Sequence, residues 1–242
     1  MRCWRELSEV VLMIDLDNTL VVSPISSLIN KAYEELAMLS GRTKEFVVTQ
    51  AMNIHLNLIK MSTPRAFDWD YIADEVSKVL GVRYKADIEG RFSKHFCKEV
   101  KILDNAYEVL QKLRDLGYKL VLSTNGLMKY QECVIRESGL NRYFDLIVSP
   151  DRVGCLKNCR NFYSCCDSSG ELITVGDSYV FDVYFPKTFG FKAIHVLRWR
   201  SIYEDTYRRL LSIDASVVAD DVVENLQQLP SALFKLRSSF NK

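Results

Sequence analysis

The chain lacks most of the features that would place it in a specialised class. It has almost no net charge: 32 Lys and Arg against 31 Asp and Glu leave +1. That removes any general electrostatic reason to bind nucleic acid or an anionic membrane. It has no apolar run of bilayer length, since Val10–Ile14 stops at Asp15. Met1-Arg2-Cys3-Trp4-Arg5-Glu6 leads straight into that run without the layout of a secretory leader. A soluble cytoplasmic protein, with no nucleic-acid and no membrane partner, is therefore expected. Repeats, low-complexity tracts and long linkers are also missing. Histidine is scarce, and His55, His95 and His195 are each read as structural or solvated. His195 falls inside a strand pattern, and the other two have no acids arranged around them. Seven cysteines in 242 residues do not make a small disulfide scaffold. Cys155, Cys159, Cys165 and Cys166 match no zinc spacing and lack a partner histidine, so they are read as small buried hydrophobes. Their spacing alone leaves a redox or metal role open.

What is present is the composition of an ordinary globular protein, 48% hydrophobic and 26% charged, long enough for one large domain or two small ones. After residue 100, strand and helix patterns alternate. Ala106, Val109, Leu110, Leu113 and Leu116 follow helical spacing, with Asp104 placed to cap the start and Gly117 to stop it. Tyr118–Ser123 reads as a strand, followed by a helix near 127–138 and a strand Phe144–Val148. A helix near 158–166, a strand Leu172–Val175, a helix near 180–189 and a strand Lys192–Leu197 continue the pattern. Ala215–Ala219 and a helix from Asp221 to about Leu229 form a last peripheral pair. Such repetition predicts a parallel sheet with helices on both faces.

Between about residues 24 and 97 the pattern changes. Pro24–Gly41, Thr43–Met61, Phe67–Gly81 and Tyr84–Lys98 each read as helical, with no strand among them. The expected division is a core made of residues 1–22 and 98–242, interrupted by a helical cap at 23–97.

The opening strand ends in MIDLDNTLVV, where two acids and a threonine break an apolar run. Buried carboxylates cost free energy unless something pairs with them. In open parallel sheets, ligands bind beyond the carboxyl ends of the strands. Asp15 and Asp17 lie at that end of the first strand, and Ser123-Thr124-Asn125-Gly126 at that end of the second. Gly176-Asp177 follows the strand from Leu172, Asp182 lies a helical turn further, and Lys157 sits in the loop after Phe144–Val148. Several carboxylates in one crevice call for a cation. Oxygen ligands without cysteine or histidine, beside a lysine, point to Mg²⁺. With Thr124 and Lys157 available to phosphate oxygens, the chemistry that suits the set is phosphoryl transfer.

MIDLDNTL, LSTNG, Lys157 and GDSYVFD resemble, in order, the four motifs of the haloacid dehalogenase superfamily. KLRDLGYKLVLSTNG and SGLNRYFDLIVSP are similar to the linking segments of its phosphatase-like members. The resemblance implies a Rossmann-like α/β core of strand order 3-2-1-4-5, with room for a sixth strand, and a helical cap inserted after the first motif. It implies Asp15 as the nucleophile that forms an aspartyl-phosphate, and Asp17 as the acid that protonates the leaving oxygen and then helps activate water. Asp15, the backbone carbonyl of Asp17 and Asp177 would bind Mg²⁺, with Asp182 in support. Thr124, Asn125 and Lys157 would bind the phosphoryl group, and Thr19 would hold the turn after the strand. Relatives commonly continue past the lysine with Pro-Asp-Pro, whereas this chain has Asn158-Cys159-Arg160.

Dehalogenase-like members carry an aromatic residue at position 17 and transport ATPases a threonine, so Asp17 resembles the phosphatases and phosphomutases. The expected activity is Mg²⁺-dependent hydrolysis of a small phosphorylated metabolite. A sugar-phosphate mutase and a non-catalytic phosphate-binding or scaffold protein are the alternatives. Arg42, Lys44, Lys60 and Arg65 lie near breaks of the cap and are candidates to touch an anionic substrate, while Trp69 is read as cap core or a helix start. Nothing in the sequence sets the leaving group or the oligomeric state.

Overall fold

The computed structural model describes residues 9–166, 170–198 and 203–238. The amino-terminal Met1–Glu6, read above for a leader, lies outside them. The centre of the molecule is β1 (Glu9–Asp15), whose residues alternate between two apolar layers. Leu12 and Ile14 join the larger buried cluster and Val11 and Met13 the smaller one. A strand apolar on both faces belongs inside a parallel sheet covered on both sides. A short β2 (Val21–Val22) and β3 (Lys101–Ile102) pair antiparallel with each other. β4 (Lys119–Ser123), β5 (Leu146–Val148), β6 (Gly170–Gly176), β7 (Lys192–Val196) and β8 (Asp221–Val223) complete the main sheet. Its order is β5-β4-β1-β6-β7-β8, with every neighbour parallel. Numbered among the core strands this is 3-2-1-4-5-6, the expected order with the sixth strand present.

Between β2 and β3 the chain is helical, with α1 (Ile25–Ser40), α2 (Lys44–Lys60), α3 (Trp69–Leu80) and a single turn α4 (Ile88–Arg91). The starts of α2 and α3 follow from their caps. The Thr43 hydroxyl accepts from the Phe46 amide and the Asp68 carboxylate from the Tyr71 amide. Around the sheet lie α5 (Ala106–Asp115), α6 (Met128–Glu137), α7 (Pro150–Val153), α8 (Phe185–Thr188), α9 (Glu204–Leu210) and α10 (Leu229–Ser238).

Five expected elements differ. The helix expected over 84–98 is broken into α4, a wide turn Phe92–Phe96 and a tight turn Cys97–Glu99. Asp87 enters it with φ 50°, and the Asp70 carboxylate accepts from the Ile88 and Glu89 amides at 2.6 and 3.1 Å. The helix near 158–166 shrinks to the turn Arg160–Tyr163, and that near 180–189 is a wide turn Tyr179–Tyr184 running into α8. The final strand is Asp221–Val223, not 215–219: Val223 is buried, whereas Val218 is 69% exposed. The last helix accordingly begins at Leu229.

The cap is seated on the core by polar contacts. Lys129 of α6 pairs with Asp68 at 2.6 Å, and the Tyr130 hydroxyl donates to the Asp70 carboxylate at 2.9 Å. Asn158, next to Lys157, accepts from the Ser62 hydroxyl at 2.6 Å and donates to the Ile59 carbonyl at 3.1 Å. His55 of α2 is buried against α9. Its Nδ1 lies 2.7 Å from the Ala66 carbonyl and must donate there, so Nε2 accepts from the Tyr207 hydroxyl at 2.7 Å. Burial pushes the His55 pKa down to about 4.

A pairing absent from the sequence reading joins the same two parts. Cys97, at the end of the cap, is disulfide-bonded to Cys133 of α6, with Cα atoms 6.0 Å apart. Cys155, Cys165 and Cys166 are buried among apolar side chains, and Cys159 is half-buried. No helix among the described residues is long and apolar enough to cross a membrane.

Two outcomes follow. Non-reducing peptide mapping should recover the Cys97 and Cys133 peptides joined, and Cys133→Ala should lower unfolding stability by roughly 2–4 kcal/mol. A reductant should do the same to the wild type and nothing to the variant; a wild-type midpoint indifferent to reductant contradicts the pairing. For His55, a folded-state pKa below the unfolded value means the unfolded chain takes up the proton first as pH falls. Its contribution is intact above about pH 6.5 and is lost toward about pH 4, a change on the order of 3 kcal/mol. Denaturant midpoints across that window should fall less steeply in His55→Gln than in the wild type.

Candidate active site

The carboxyl ends of β1, β4 and β6 open onto one cavity of about 530 Å³. Asp15, Asp17, Thr124, Asn125, Lys157, Asp177 and Asp182 all line it, as expected from the strand ends. At its floor the buried Lys157 ammonium bridges two carboxylates, Asp15 Oδ1 at 2.6 Å and Asp182 Oδ1 at 2.7 Å. Burial works against that ammonium, but Asp15 and Asp182 outweigh it and raise its pKa. The lysine is set by its backbone: its amide donates to the Asn125 side-chain oxygen at 3.0 Å. Asn125 thus holds the lysine loop instead of presenting that oxygen to the cavity.

Each acid has a different hold. Asp182 sits directly on Lys157, and its second oxygen accepts from the Ser178 amide at 3.1 Å. It packs on Gly176, where a Cβ would stand 2.2 Å from Asp182 Oδ2, so only glycine fits there. The Thr19 hydroxyl accepts from the Asp177 amide at 3.1 Å, tying the loop after β1 to the loop after β6 across the sheet. The turn that Thr19 was expected to hold is closed by backbone bonds instead, from the Leu20 and Val21 amides to the Leu16 carbonyl. Thr124 is buried, and its hydroxyl oxygen accepts from the Gly126 amide at 2.9 Å.

One ammonium does not balance this many carboxylates. Burial raises Asp15 to about 6, even against the pull of Lys157. Burial and the Asp15 charge raise Asp17 to about 7, and burial with Asp15 and Asp182 raises Asp177 to about 8. Carboxylates held up in this way lack compensating charge. One oxygen each from Asp15, Asp177 and Asp182 lies within 4.8 Å of the others. An all-oxygen set of that kind suits a small hard divalent cation.

Several residues of the site carried no sequence signal. Gln131 of α6 donates to Asp17 Oδ2 at 2.5 Å. Arg198 donates to the Asn18 and Thr19 carbonyls and pairs with Asp104 at 2.6 Å, bracing the loop after β1. Glu204 accepts from the Val180 amide and the Ser178 hydroxyl, bracing the loop after β6. His195 contacts the Asp177 carbonyl at 3.0 Å. The cap contributes Phe67 and Trp69 to the wall, so Trp69 faces the cavity as well as stacking on His55. The basic candidates of the cap do not line it. Lys44 pairs with Glu34, Arg42 lies over the Phe46 ring, Arg65 over the Tyr71 ring, and Lys60 is exposed.

Comparison with known proteins matches this architecture. The chain is similar over 92% of its length to the HAD phosphatase from Thermococcus onnurineus, covering 97% of that chain at 23% identity and a TM-score of 0.66. It is similar to the putative HAD-hydrolase YfnB from Bacillus subtilis, solved bound to magnesium, at 17% identity, coverage of 93% and 97%, and TM-score 0.61. It is equally similar to the L-2-haloacid dehalogenase from Xanthobacter autotrophicus, at 17% identity, coverage of 94% and 98%, and TM-score 0.61. At these identities the likeness establishes the fold. No curated protein matches the chain. The family model described as haloacid dehalogenase-like hydrolase matches residues 11–190, which span all four motifs and the helical insert. The chain belongs to the haloacid dehalogenase-like hydrolases.

Proposed function

We propose that the chain is a Mg²⁺-dependent phosphohydrolase that cleaves a small phosphomonoester through an aspartyl-phosphate on Asp15. The observation that carries this reading is Asp17, a second carboxyl at the cavity wall whose pKa burial and Asp15 raise to about 7. A departing halide needs no proton, so a dehalogenase has no use for such a group. A departing alkoxide does need one, and an acid with a pKa near the working pH is suited to supply it. The structures the chain resembles include one described as a HAD phosphatase, one solved with magnesium and a haloacid dehalogenase, so the choice between the two chemistries rests on Asp17.

In this reading Asp15 attacks phosphorus while Lys157, bonded to its Oδ1, orients the carboxylate and offsets charge on the phosphoryl oxygens. Asp17 gives its proton to the leaving oxygen. As the conjugate base it then takes a proton from the water that hydrolyses the aspartyl-phosphate. Thr124 and backbone amides around Asn18 hold the phosphoryl group. Asp15, Asp177 and the Asp17 carbonyl would hold Mg²⁺, with Asp182 supporting through Lys157 and the shared acidic cluster. Bound Mg²⁺ would neutralise charge on the non-bridging oxygens. The cap, seated through Asp68, Asp70 and His55, walls one side of the cavity with Phe67 and Trp69.

A screen of phosphomonoesters should show Mg²⁺-dependent release of inorganic phosphate that EDTA abolishes and Asp15→Asn lacks. Equal turnover by Asp15→Asn and the wild type contradicts the nucleophile assignment. Lys157→Met, which leaves Asp15 and Asp182 without their ammonium, should lower kcat by roughly 100- to 1,000-fold, as loss of a charge-stabilising group does elsewhere. A loss confined to KM would show that the lysine serves only ground-state binding.

A further inference from the structure

Gln131 is a polar side chain on the inner face of α6, only 6% exposed, and no motif contains it. A buried amide in that position is costly without a partner. The partner is the acid itself, since Nε2 donates to Asp17 Oδ2 at 2.5 Å across 114 residues of sequence. Two further features hold the amide there. A Cβ at Gly126 would stand 2.1 Å from Gln131 Nε2 and 2.9 Å from its Cγ and Cδ, so the bare backbone of Gly126 is the passage through which the side chain reaches Asp17. The preceding residue, Tyr130, is locked by its hydroxyl to Asp70 of the cap, and Lys129 to Asp68. One turn of α6 therefore grips the cap on one side and the acid on the other.

We propose that Gln131 is the positioning residue of Asp17: by occupying Oδ2 it leaves Oδ1 to carry the proton and holds the carboxyl plane for transfer to the leaving group. The inference rests on the phosphohydrolase reading above. In the step it serves, the Asp15 oxygen–phosphorus bond forms and the ester oxygen–phosphorus bond breaks, its electron pair remaining on the departing oxygen. That oxygen takes the proton from Asp17 Oδ1. Gln131 itself exchanges nothing. Its contribution should scale with how much the leaving group needs that proton. p-Nitrophenolate departs without protonation, phenolate benefits from it, and an alkoxide requires it.

The test compares kcat/KM for p-nitrophenyl phosphate, phenyl phosphate and glycerol phosphate in the wild type, Gln131→Met and Gly126→Ala. Methionine keeps the volume and removes the donor. Alanine at 126 keeps the glutamine but displaces its amide. Both variants should lose roughly 10- to 100-fold on glycerol phosphate and little on p-nitrophenyl phosphate, with phenyl phosphate between them. A loss of the same size on all three esters, or none, overturns the positioning role. If Gln131→Met does not fold, Gly126→Ala gives the same two answers. If the wild type releases phosphate from no ester, the phosphohydrolase reading fails and the inference falls with it, an outcome distinct from an active wild type whose variants lose equally on all three.

Discussion

The Lys157 ammonium, buried between Asp15 and Asp182, is the contact on which the rest of the site depends. Without a cation at that point, two carboxylates buried as deeply as Asp15 and Asp182 could not share the floor of the cavity. The fold supplies it by bringing the loop after β5 beneath the ends of β1 and β6, and Asn125 fixes that loop through the Lys157 amide. Yet one ammonium serves Asp15, Asp17, Asp177 and Asp182 together, and burial raises the pKa values of all four against its pull. In the phosphohydrolase reading proposed above, a metal ion and a phosphoryl group, whose charges complete one another, would make up the shortfall.

The second constraint is the seam between cap and core. Apolar packing of Ile59 and Ala66 on Leu156, Val180 and Phe181 and the Cys97–Cys133 disulfide cross it, and polar pairs fix it at a few places: α6 with Asp68 and Asp70, α9 with His55, and Asn158 with the turn at Ser62. The last of these accounts for the departure from Pro-Asp-Pro after the lysine. Proline has no side-chain donor or acceptor, whereas Asn158 both accepts from Ser62 and donates to Ile59. Lys157 keeps its place although the helix expected after it is reduced to Arg160–Tyr163. The cap side of the seam meets the chemistry at α6, where Tyr130 and Gln131 face Asp70 and Asp17 respectively.

The core fold and the acidic cluster were legible because each rests on contiguous sequence. Strand periodicity placed Asp15, Thr124 and Asp177 at strand ends, and parallel winding brought those ends together. The residues that were missed act through pairs distant in sequence. Gln131 and Asp17 are 114 residues apart, His55 and Tyr207 are 152 apart, and Cys97 and Cys133 are 36 apart. A lone glutamine, histidine or cysteine on a helix face has no local pattern that announces such a partner. The broken helix after Tyr84 shows a similar limit. Tyr84, Ala86 and Ile88 alternate with a period of two, and the capping acid, Asp70, lies in the preceding helix.

The central claim is that Asp15 takes the phosphoryl group. It is tested most directly by acid-quenching the enzyme during Mg²⁺-supported turnover of p-nitrophenyl phosphate and mapping its peptides by mass spectrometry. The account predicts one added phosphoryl group on the peptide that contains Asp15, absent in Asp15→Asn. Turnover with the phosphoryl group on another residue, or in Asp15→Asn at the wild-type rate, would contradict it.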